Sequence, residues 1–210
     1  MHEASLSDTL LLADALSQCA KFLYIAPPAH RAELQRLPHA AAFRSDWTLR
    51  RQRGGGLGAR LLSALGELLA EGARRIVIVG TDSPWMGPRR IARAFRLLRR
   101  YDVVLGPAED GGYYLIGARR LIPKMFDEVP WGTGRVLSRT LARLKSLRVR
   151  TILLQKDFDL DRPRDLRRLQ RLLRRGKQLP PALALELARQ EFAQYAARKS
   201  PGRRGKRRVR

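Results

Sequence analysis

Carboxylates in three short segments are the residues of this chain best placed to do chemistry. Asp82 stands in Gly80-Thr81-Asp82-Ser83-Pro84, directly after the apolar run Ile76–Val79. Glu109 and Asp110 precede Gly111-Gly112 and follow a second apolar run, Val103–Leu105. Asp157, Asp159 and Asp161 alternate after a third, Val149–Leu154, so an extended backbone points all three the same way. A carboxylate just past a buried strand suits Mg²⁺, which takes one or two carboxylates and completes its shell with phosphate oxygens and water. Two carboxylate-bearing turns fed by neighbouring strands therefore suggest a magnesium and diphosphate site. Each segment also has a structural role open to it. Asp82 can cap the turn before Pro84, Asp110-Gly111 between strand runs is a hairpin signal, and Asp161 can cap a helix starting at Pro163.

A second group of residues suits phosphate or a base. Gln52-Arg53-Gly54-Gly55-Gly56 leads into an apolar-periodic segment, and free N–H groups at a helix N-terminus hold phosphates. Gly54-x-Gly56-x-x-Ala59 fits the dinucleotide fingerprint only formally. The strand before it is short and polar, and no acid follows about 20 residues on in a strand-end context. A surface loop explains it equally well. Trp131, in Val129-Pro130-Trp131-Gly132-Thr133-Gly134, offers a ring for stacking on a sugar or base, or simply for packing. His2, His30 and His39 all fall in the first fifth without metal-ligand spacing, which argues against a histidine zinc site or a Ser-His-Asp triad.

The elements that must position these residues alternate. Helices are expected at Ser5–Cys19, Ala29–Leu37, Leu57–Glu71, Pro88–Arg100, Arg135–Leu147, Pro163–Arg174 and Leu183–Ala197. Strands are expected at Lys21–Ala26, Trp47–Arg51, Arg75–Val79, Val103–Leu105, Tyr113–Ile116 and Val149–Leu154. Leu57, Leu61, Leu65, Leu68 and Leu69 should face inward from their helix, which Gly72 ends. In the first helix Leu6, Leu10 and Ala13 line one side. The run ending at Val79 reads as a central, buried parallel strand. Strands alternating with helices imply a doubly wound α/β layer structure, whose ligands bind outside the C-terminal strand ends.

The chain has 210 residues, enough for one domain with a tail. The single Cys19 excludes an intrachain disulfide framework and fits a reducing cytoplasm. No apolar run approaches the roughly 20 residues that span a bilayer. Asp8 and Asp14 interrupt the first apolar segment, so neither a signal peptide nor membrane contact is expected. The formal charge is +24, and 36 of the 43 basic residues are arginine. Residues 198–210 hold eight basic and no acidic residues and read as a disordered tail capable of non-specific polyanion contact. No aromatic platform, helix-turn-helix signal or zinc spacing supports sequence-specific nucleic-acid binding.

In order, Gln-x-Gly-Gly-x-Leu-Gly-x-Arg-Leu, Gly-Thr-Asp-Ser-Pro, Gly-Pro-Ala-Glu-Asp-Gly-Gly-Tyr-Tyr-Leu-Ile-Gly, Pro-Trp-x-Thr and Asp-x-Asp-x-Pro-x-Asp-Leu run from Gln52 to Leu166. With this series the chain resembles the GT-A-type glycosyltransferase-like proteins called radical-SAM/selenodomain-associated transferase 1, or arsenosugar-biosynthesis glycosyltransferases. These are relatives of the molybdenum-cofactor and F420-precursor nucleotidyltransferases. The likeness covers about Ser5 to Leu173. It implies a three-layer αβα, Rossmann-like nucleotide-diphospho-sugar transferase domain over residues 1–175, followed by a helix at 176–197 and the tail at 198–210. It also implies a cytoplasmic transferase using Mg²⁺ or Mn²⁺, a nucleotide-sugar or nucleotide donor and a small-molecule acceptor. Asp82 takes the place of the metal-binding aspartate and Asp161 the second metal position. Glu109 and Asp110 would orient the acceptor or act as base. Gln52, Arg53, Gly55, Gly58, Arg60, Gly111, Gly112 and Trp131 would line the donor site. The family also opens with a strand and a Gly- and Lys/Arg-containing nucleotide loop, whereas Ser5–Ala15 already resembles the following helix. The expectation is an N-terminally truncated domain, explained either by a start placed too late or by a shortened, non-catalytic binding protein.

Overall fold

The computed structural model describes residues 2–26, 47–81, 83, 86–157, 171 and 180–187. In chain order these form α1 (His2–Asp14), β1 (Lys21–Ile25), β2 (Trp47–Arg51), α2 (Leu57–Ala70), β3 (Ile76–Val79) and α3 (Pro88–Leu97). They continue with β4 (Val103–Pro107), β5 (Tyr113–Ala118), a 3₁₀ turn (Pro123–Phe126), α4 (Val136–Ser146) and β6 (Thr151–Leu153), and residues 181–187 are helical. The helix expected at Ala29–Leu37, the tail, and all of the helix expected at Pro163–Arg174 except Arg171 lie outside the described residues. Two local signals act as expected. Pro88 opens α3, and Gly72, at φ 93°, ends α2 by turning its N–H back to the Leu69 carbonyl.

The four-stranded sheet has the order β3-β5-β4-β6 and is covered on both faces. On one side Leu65 and Leu68 of α2 and Leu144 of α4 pack with Met125 and Phe126 onto Val103, Leu105, Ile116 and Ala118. On the other, Leu12 of α1 and Ile91, Ala94 and Leu98 beside α3 pack onto Val104 and Leu115. Val103 and Leu105 face one layer and Val104 the other, the period-two alternation of a strand buried on both sides. This is a three-layer αβα fold. The parallel pair β1–β2 runs in register from Lys21 opposite Trp47 to Ile25 opposite Arg51. Phe22 and Tyr24 join the first core. Arg50 lies 4.5 Å over the Phe22 ring. It also donates to Glu67 at 2.7 Å and to both Glu71 oxygens at 2.6 and 2.8 Å. Those hydrogen bonds hold the Glu71 carboxyl below its ordinary range.

Asp8 supplies a tie across the chain. Its two oxygens accept the Ala182 and Leu183 N–H groups at 2.9 and 2.7 Å. These are the second and third residues of the 181–187 helix. The Asp8 carboxylate thus does what an N-cap side chain would do, at a helix whose own preceding residue is Pro180.

Three expectations need correction. First, β3 is not central: among the described residues it is the last strand of its sheet and pairs antiparallel with β5 alone. The tight turn after β4 folds β5 straight back, so β5 enters between β3 and β4. Second, Leu57 is 52% exposed instead of inward, because it opens α2 at the loop junction before the helix reaches the sheet. Third, α1 buries more than one stripe. Ser5, Ser7, Asp8 and Thr9 are buried with Leu10 and Leu12. Thr9 Oγ1 donates to the Ser5 carbonyl at 2.8 Å, and Ser5 Oγ to the Thr81 carbonyl.

Candidate functional site

β3, β4 and β6 run in one direction and β5 in the other. Their pairing brings the C-terminal ends of the first three and the start of β5 to one edge of the sheet, the edge where open α/β sheets bind ligands. The Gly80 N–H bonds the Tyr114 carbonyl at 3.0 Å, fixing the segment that leads to Asp82 against the start of β5. Asp82 itself is outside the described residues. Thr81 before it is exposed and Ser83 after it is fully buried.

The turn Glu109–Gly112 joins β4 to β5 as the Asp-Gly pair predicts. Ala108 N–H bonds the Gly112 carbonyl at 3.0 Å, and Gly112 N–H bonds Asp110 Oδ1 at 2.8 Å. Glu109 and Asp110 are both exposed. Gly111 sits at φ 93°, and a Cβ there would collide with the Gly134 carbonyl oxygen. Its own carbonyl accepts the Leu137 N–H at 2.8 Å, so this turn also anchors the start of α4. Glycine is required here on two counts, positive φ and close backbone approach.

The Gln52–Arg60 loop is held from inside. Gln52 donates from Nε2 to the Tyr24 carbonyl at 3.1 Å and accepts from Arg60 Nη1 at 3.3 Å. Arg60 Nε donates to the Gly54 carbonyl at 3.3 Å. Arg53, Gly55 and Gly56 are exposed. The N-terminus of α2 has no side-chain cap, so the N–H groups that open the helix lack a side-chain acceptor. Gly58, in that first turn, packs under Trp131. A Cβ at Gly58 would lie 2.8 Å from Trp131 Nε1. Trp131 in turn meets Tyr113 and Phe126 edge-on, at centroid distances of 6.2 and 5.6 Å. Burial pushes the Tyr113 phenol well above its ordinary value, so it stays protonated. The glycine loop, Trp131 and the Gly111–Gly134 contact thereby form one continuous surface.

A further cluster stiffens the same edge. Asp157 bridges to Ala108 beside the turn, its N–H bonding the Pro107 carbonyl at 2.9 Å. Its carboxylate pairs with Arg90 of α3. Arg90 lies 5.5 Å over the Tyr114 ring, whose hydroxyl donates to the Gln155 carbonyl at 2.9 Å. Asp157, read in sequence with Asp159 and Asp161 as a contributor to a metal site, is thus engaged by a guanidinium. Arg90, Tyr114, Gly106 and Gly134 are structural partners that sequence reasoning did not single out. The only available signals were a glycine inside a strand run and an arginine in the first turn of a helix.

Among the described residues, no three His, Cys, Asp or Glu side chains stand together as a metal set. Asp110 gives one oxygen to the Gly112 N–H and Asp157 faces Arg90. Asp161, like Asp82, lies outside the described residues. The edge offers hard carboxylate oxygens, the donor type Mg²⁺ takes.

No helix among the described residues is long and apolar enough to cross a membrane. No curated protein matches this sequence. Among solved structures, the chain is similar to a protein of Desulfovibrio desulfuricans G20 provisionally assigned as a nucleotide-diphospho-sugar transferase. The TM-score is 0.71 at 26% identity, over 91% of this chain and 84% of that one. It shares its fold with a 4-diphosphocytidyl-2C-methyl-D-erythritol synthase, at TM-score 0.55 and 15% identity over 80% of this chain and 90% of that one. A CMP:2-keto-3-deoxy-manno-octonic acid synthetase solved with CTP gives TM-score 0.54 and 12% identity, over 82% and 88%. The chain thus has the fold of the nucleotide-diphospho-sugar transferase and nucleotidyltransferase structures it matches. Residues 9–133 match the family described as "Uncharacterized protein conserved in bacteria (DUF2064)", and the chain belongs to that family.

Proposed function

We propose that this protein is a transferase that receives a nucleotide-activated sugar at the strand-end edge and passes the sugar to a hydroxyl of a small acceptor. One observation carries the reading. The uncapped N-terminus of α2, the Trp131 ring and the Gly111–Gly112 turn converge on one surface. Helix N–H groups bind phosphate oxygens, Arg53 and Arg60 add positive charge beside them, and Trp131 offers a ring face to a base or sugar. Gln52, Gly55 and Gly58 shape that cradle. Glu109 or Asp110 orients the acceptor hydroxyl and takes its proton as the new bond forms. The sugar's bond to the diphosphate breaks, its bond to the acceptor oxygen forms, and the nucleoside diphosphate leaves. Asp82 with Asp161 would hold a Mg²⁺ or Mn²⁺ ion, which would supply positive charge to the leaving diphosphate. The likeness to the Desulfovibrio protein supports this reading, as does the resemblance of the motif series to the radical-SAM/selenodomain-associated and arsenosugar-biosynthesis transferases.

A second reading uses the same cradle for nucleotidyl transfer from a nucleoside triphosphate to a phosphate-bearing acceptor, with diphosphate as the leaving group. The fold shared with the synthetase solved with CTP favours it. The two reactions release different products. Incubation with uridine- and guanosine-diphosphate sugars, and separately with CTP and sugar phosphates, each with Mg²⁺, is followed for nucleoside diphosphate against inorganic diphosphate. Asp82→Ala is expected to lower metal-dependent release by about 100-fold, in line with loss of a principal charge-stabilising group. Trp131→Ala is expected to weaken donor binding by about tenfold, from the loss of one stacking contact of about 1–3 kcal/mol. Absence of both products, with no binding heat for any nucleotide, would refute both readings.

A further inference from the structure

The edge of the sheet opposite the candidate site has its own chemistry. The antiparallel course of β5 brings its end to the edge where β3, β4 and β6 begin. Each of these four strand ends carries two arginines. Arg74 and Arg75 precede β3, and Arg99 and Arg100 lead into β4. Arg119 and Arg120 follow β5, while Arg148 and Arg150 precede β6. All eight are exposed. Hydrogen bonds tie these segments together in space. Arg119 Nη1 donates to the Arg99 carbonyl at 3.3 Å, and the Arg150 carbonyl accepts the Asp102 N–H at 2.8 Å. Arg75 Nη1 reaches the Phe95 carbonyl at 3.4 Å.

One carboxylate sits among them. Asp102, 8% exposed, lies 3.5 to 4.0 Å from the guanidinium groups of Arg119, Arg120 and Arg150. It holds three of the eight in place without balancing the others. Elsewhere on the described surface arginines meet acids in small groups: Arg50 with Glu67 and Glu71, Arg90 with Asp157, Arg143 with Asp127 and Glu128. Five of the eight, Arg74, Arg75, Arg99, Arg100 and Arg148, have no ion-pair partner among the described residues, so this edge keeps a net positive charge. The opposite edge sets Glu109, Asp110 and Asp157 beside Arg53, Arg60 and Arg90.

We infer that this edge is a docking surface for the phosphate backbone of a nucleic-acid duplex, bound without base readout. The guanidinium fork matches phosphate oxygens. Four strand ends spaced about 4.8 Å apart form a rigid array roughly 15 Å wide, a scale suited to rows of backbone phosphates. Single-strand binding is built on exposed aromatic stacking platforms, and Tyr101, the aromatic residue between Arg100 and Asp102, is only partly exposed. Membrane docking needs an apolar face as well as charge, and Leu121 is the one exposed large apolar side chain adjoining these arginines. A duplex backbone asks only for arrayed positive charge.

The test is binding of the full chain to a short mixed-sequence DNA duplex and to the RNA duplex of the same sequence, by fluorescence anisotropy from about 50 to 200 mM salt. The triple variant Arg74→Gln, Arg75→Gln, Arg100→Gln leaves the Asp102 cluster intact. It is expected to bind at least tenfold more weakly in low salt. Its salt slope should fall by about 0.9 for each phosphate contact removed, so by about 2 to 3. A control with the same charge loss at the other end of the sheet, Arg89→Gln, Arg93→Gln, Arg139→Gln, should move the slope by less than one contact. A variant with the basic residues of 198–210 changed to Gln should retain the part of the binding that the edge variant loses. Tighter binding of one duplex identifies that duplex as the partner. Equal effects of the edge and control variants would overturn the inference, as would an unchanged slope in the edge variant with its melting curve intact. So would edge-dependent binding to phosphatidylserine vesicles without binding to either duplex, or no duplex binding by the natural chain.

Discussion

Replacing Gly106 by alanine should destabilise the protein through one identifiable side chain. A Cβ at Gly106 would stand 2.5 Å from Cε2 and Cζ of Tyr114 and 2.9 Å from its hydroxyl oxygen. Carbon atoms prefer about 3.5–4.0 Å, so the ring must retreat by about 1 Å. It has little room to do so. Tyr114 is 2% exposed, its hydroxyl is bonded to the Gln155 carbonyl and the Arg90 guanidinium lies over its face. Overpacking of this kind costs about 1–3 kcal/mol, and loss of the Tyr114–Gln155 hydrogen bond adds about 1 kcal/mol, for a total of about 2–4 kcal/mol. In a domain of this size that lowers the melting temperature by about 5–15 °C. Thermal and urea unfolding followed by circular dichroism measures it. The same change made in a Tyr114→Ala background should be neutral or stabilising, because the new methyl group enters the space the ring has left. An equal loss in both backgrounds would show that the strand backbone, not the ring, makes the demand for glycine, and the reasoning would fail.

Two further outcomes follow from buried carboxylates. Asp8→Ala leaves the Ala182 and Leu183 N–H groups without their acceptor at a buried helix start; it should cost about 2–4 kcal/mol by urea denaturation, with Asp8→Asn intermediate, and a loss below about 1 kcal/mol would contradict the capping role. Burial alone would raise the Asp102 carboxyl, but the Arg150 N–H and the charges of Arg120 and Arg150 outweigh it and set it below its ordinary value. Its stabilising contribution is therefore complete above the unfolded carboxyl pKa, near 4, and is lost as pH falls through the lower folded value. Asp102→Asn should flatten the dependence of unfolding midpoint on pH below about 4, and an unchanged acid limb would refute the assignment.

The elements were largely readable because their signals are local. Leu65 and Leu68 of α2, Pro88 at the start of α3, Gly72 after α2 and the Asp110-Gly111 turn each act within a few residues, and each is found where its pattern placed it, whereas Leu57 is not. Which strand lies beside which is not a local property. An apolar run such as Ile76–Val79 fits a central or an outer position equally, and the placement of β3 depends on where β5 returns, a matter of long-range pairing. The candidate site divides in the same way. Residue types announced the glycine loop, Trp131 and the acidic turn, but their meeting depends on contacts such as Gly58 under Trp131 and Gly111 against Gly134. In sequence a glycine shows only that a side chain is missing. It does not name the neighbour that needs the space.

The direction of β5 connects the two ends of the molecule. Because the Glu109–Gly112 turn is tight, β5 begins at the edge where β3, β4 and β6 finish. Tyr113 and Tyr114 therefore belong to the candidate site: the first packs on Trp131 and the second holds Arg90 near Asp157. The same reversal carries Arg119 and Arg120, at the end of β5, to the opposite edge, where Asp102 receives them. Had this connection been a parallel crossover, Arg119 and Arg120 would have emerged beside the acidic turn, and their charge would have competed there with any phosphate-binding arginines of the donor site. The hairpin instead carries both arginines across the length of four short strands, to the edge where the other basic strand ends lie. The placement of that basic edge is thus a consequence of topology, set by one glycine turn that only Gly111 can make in contact with Gly134.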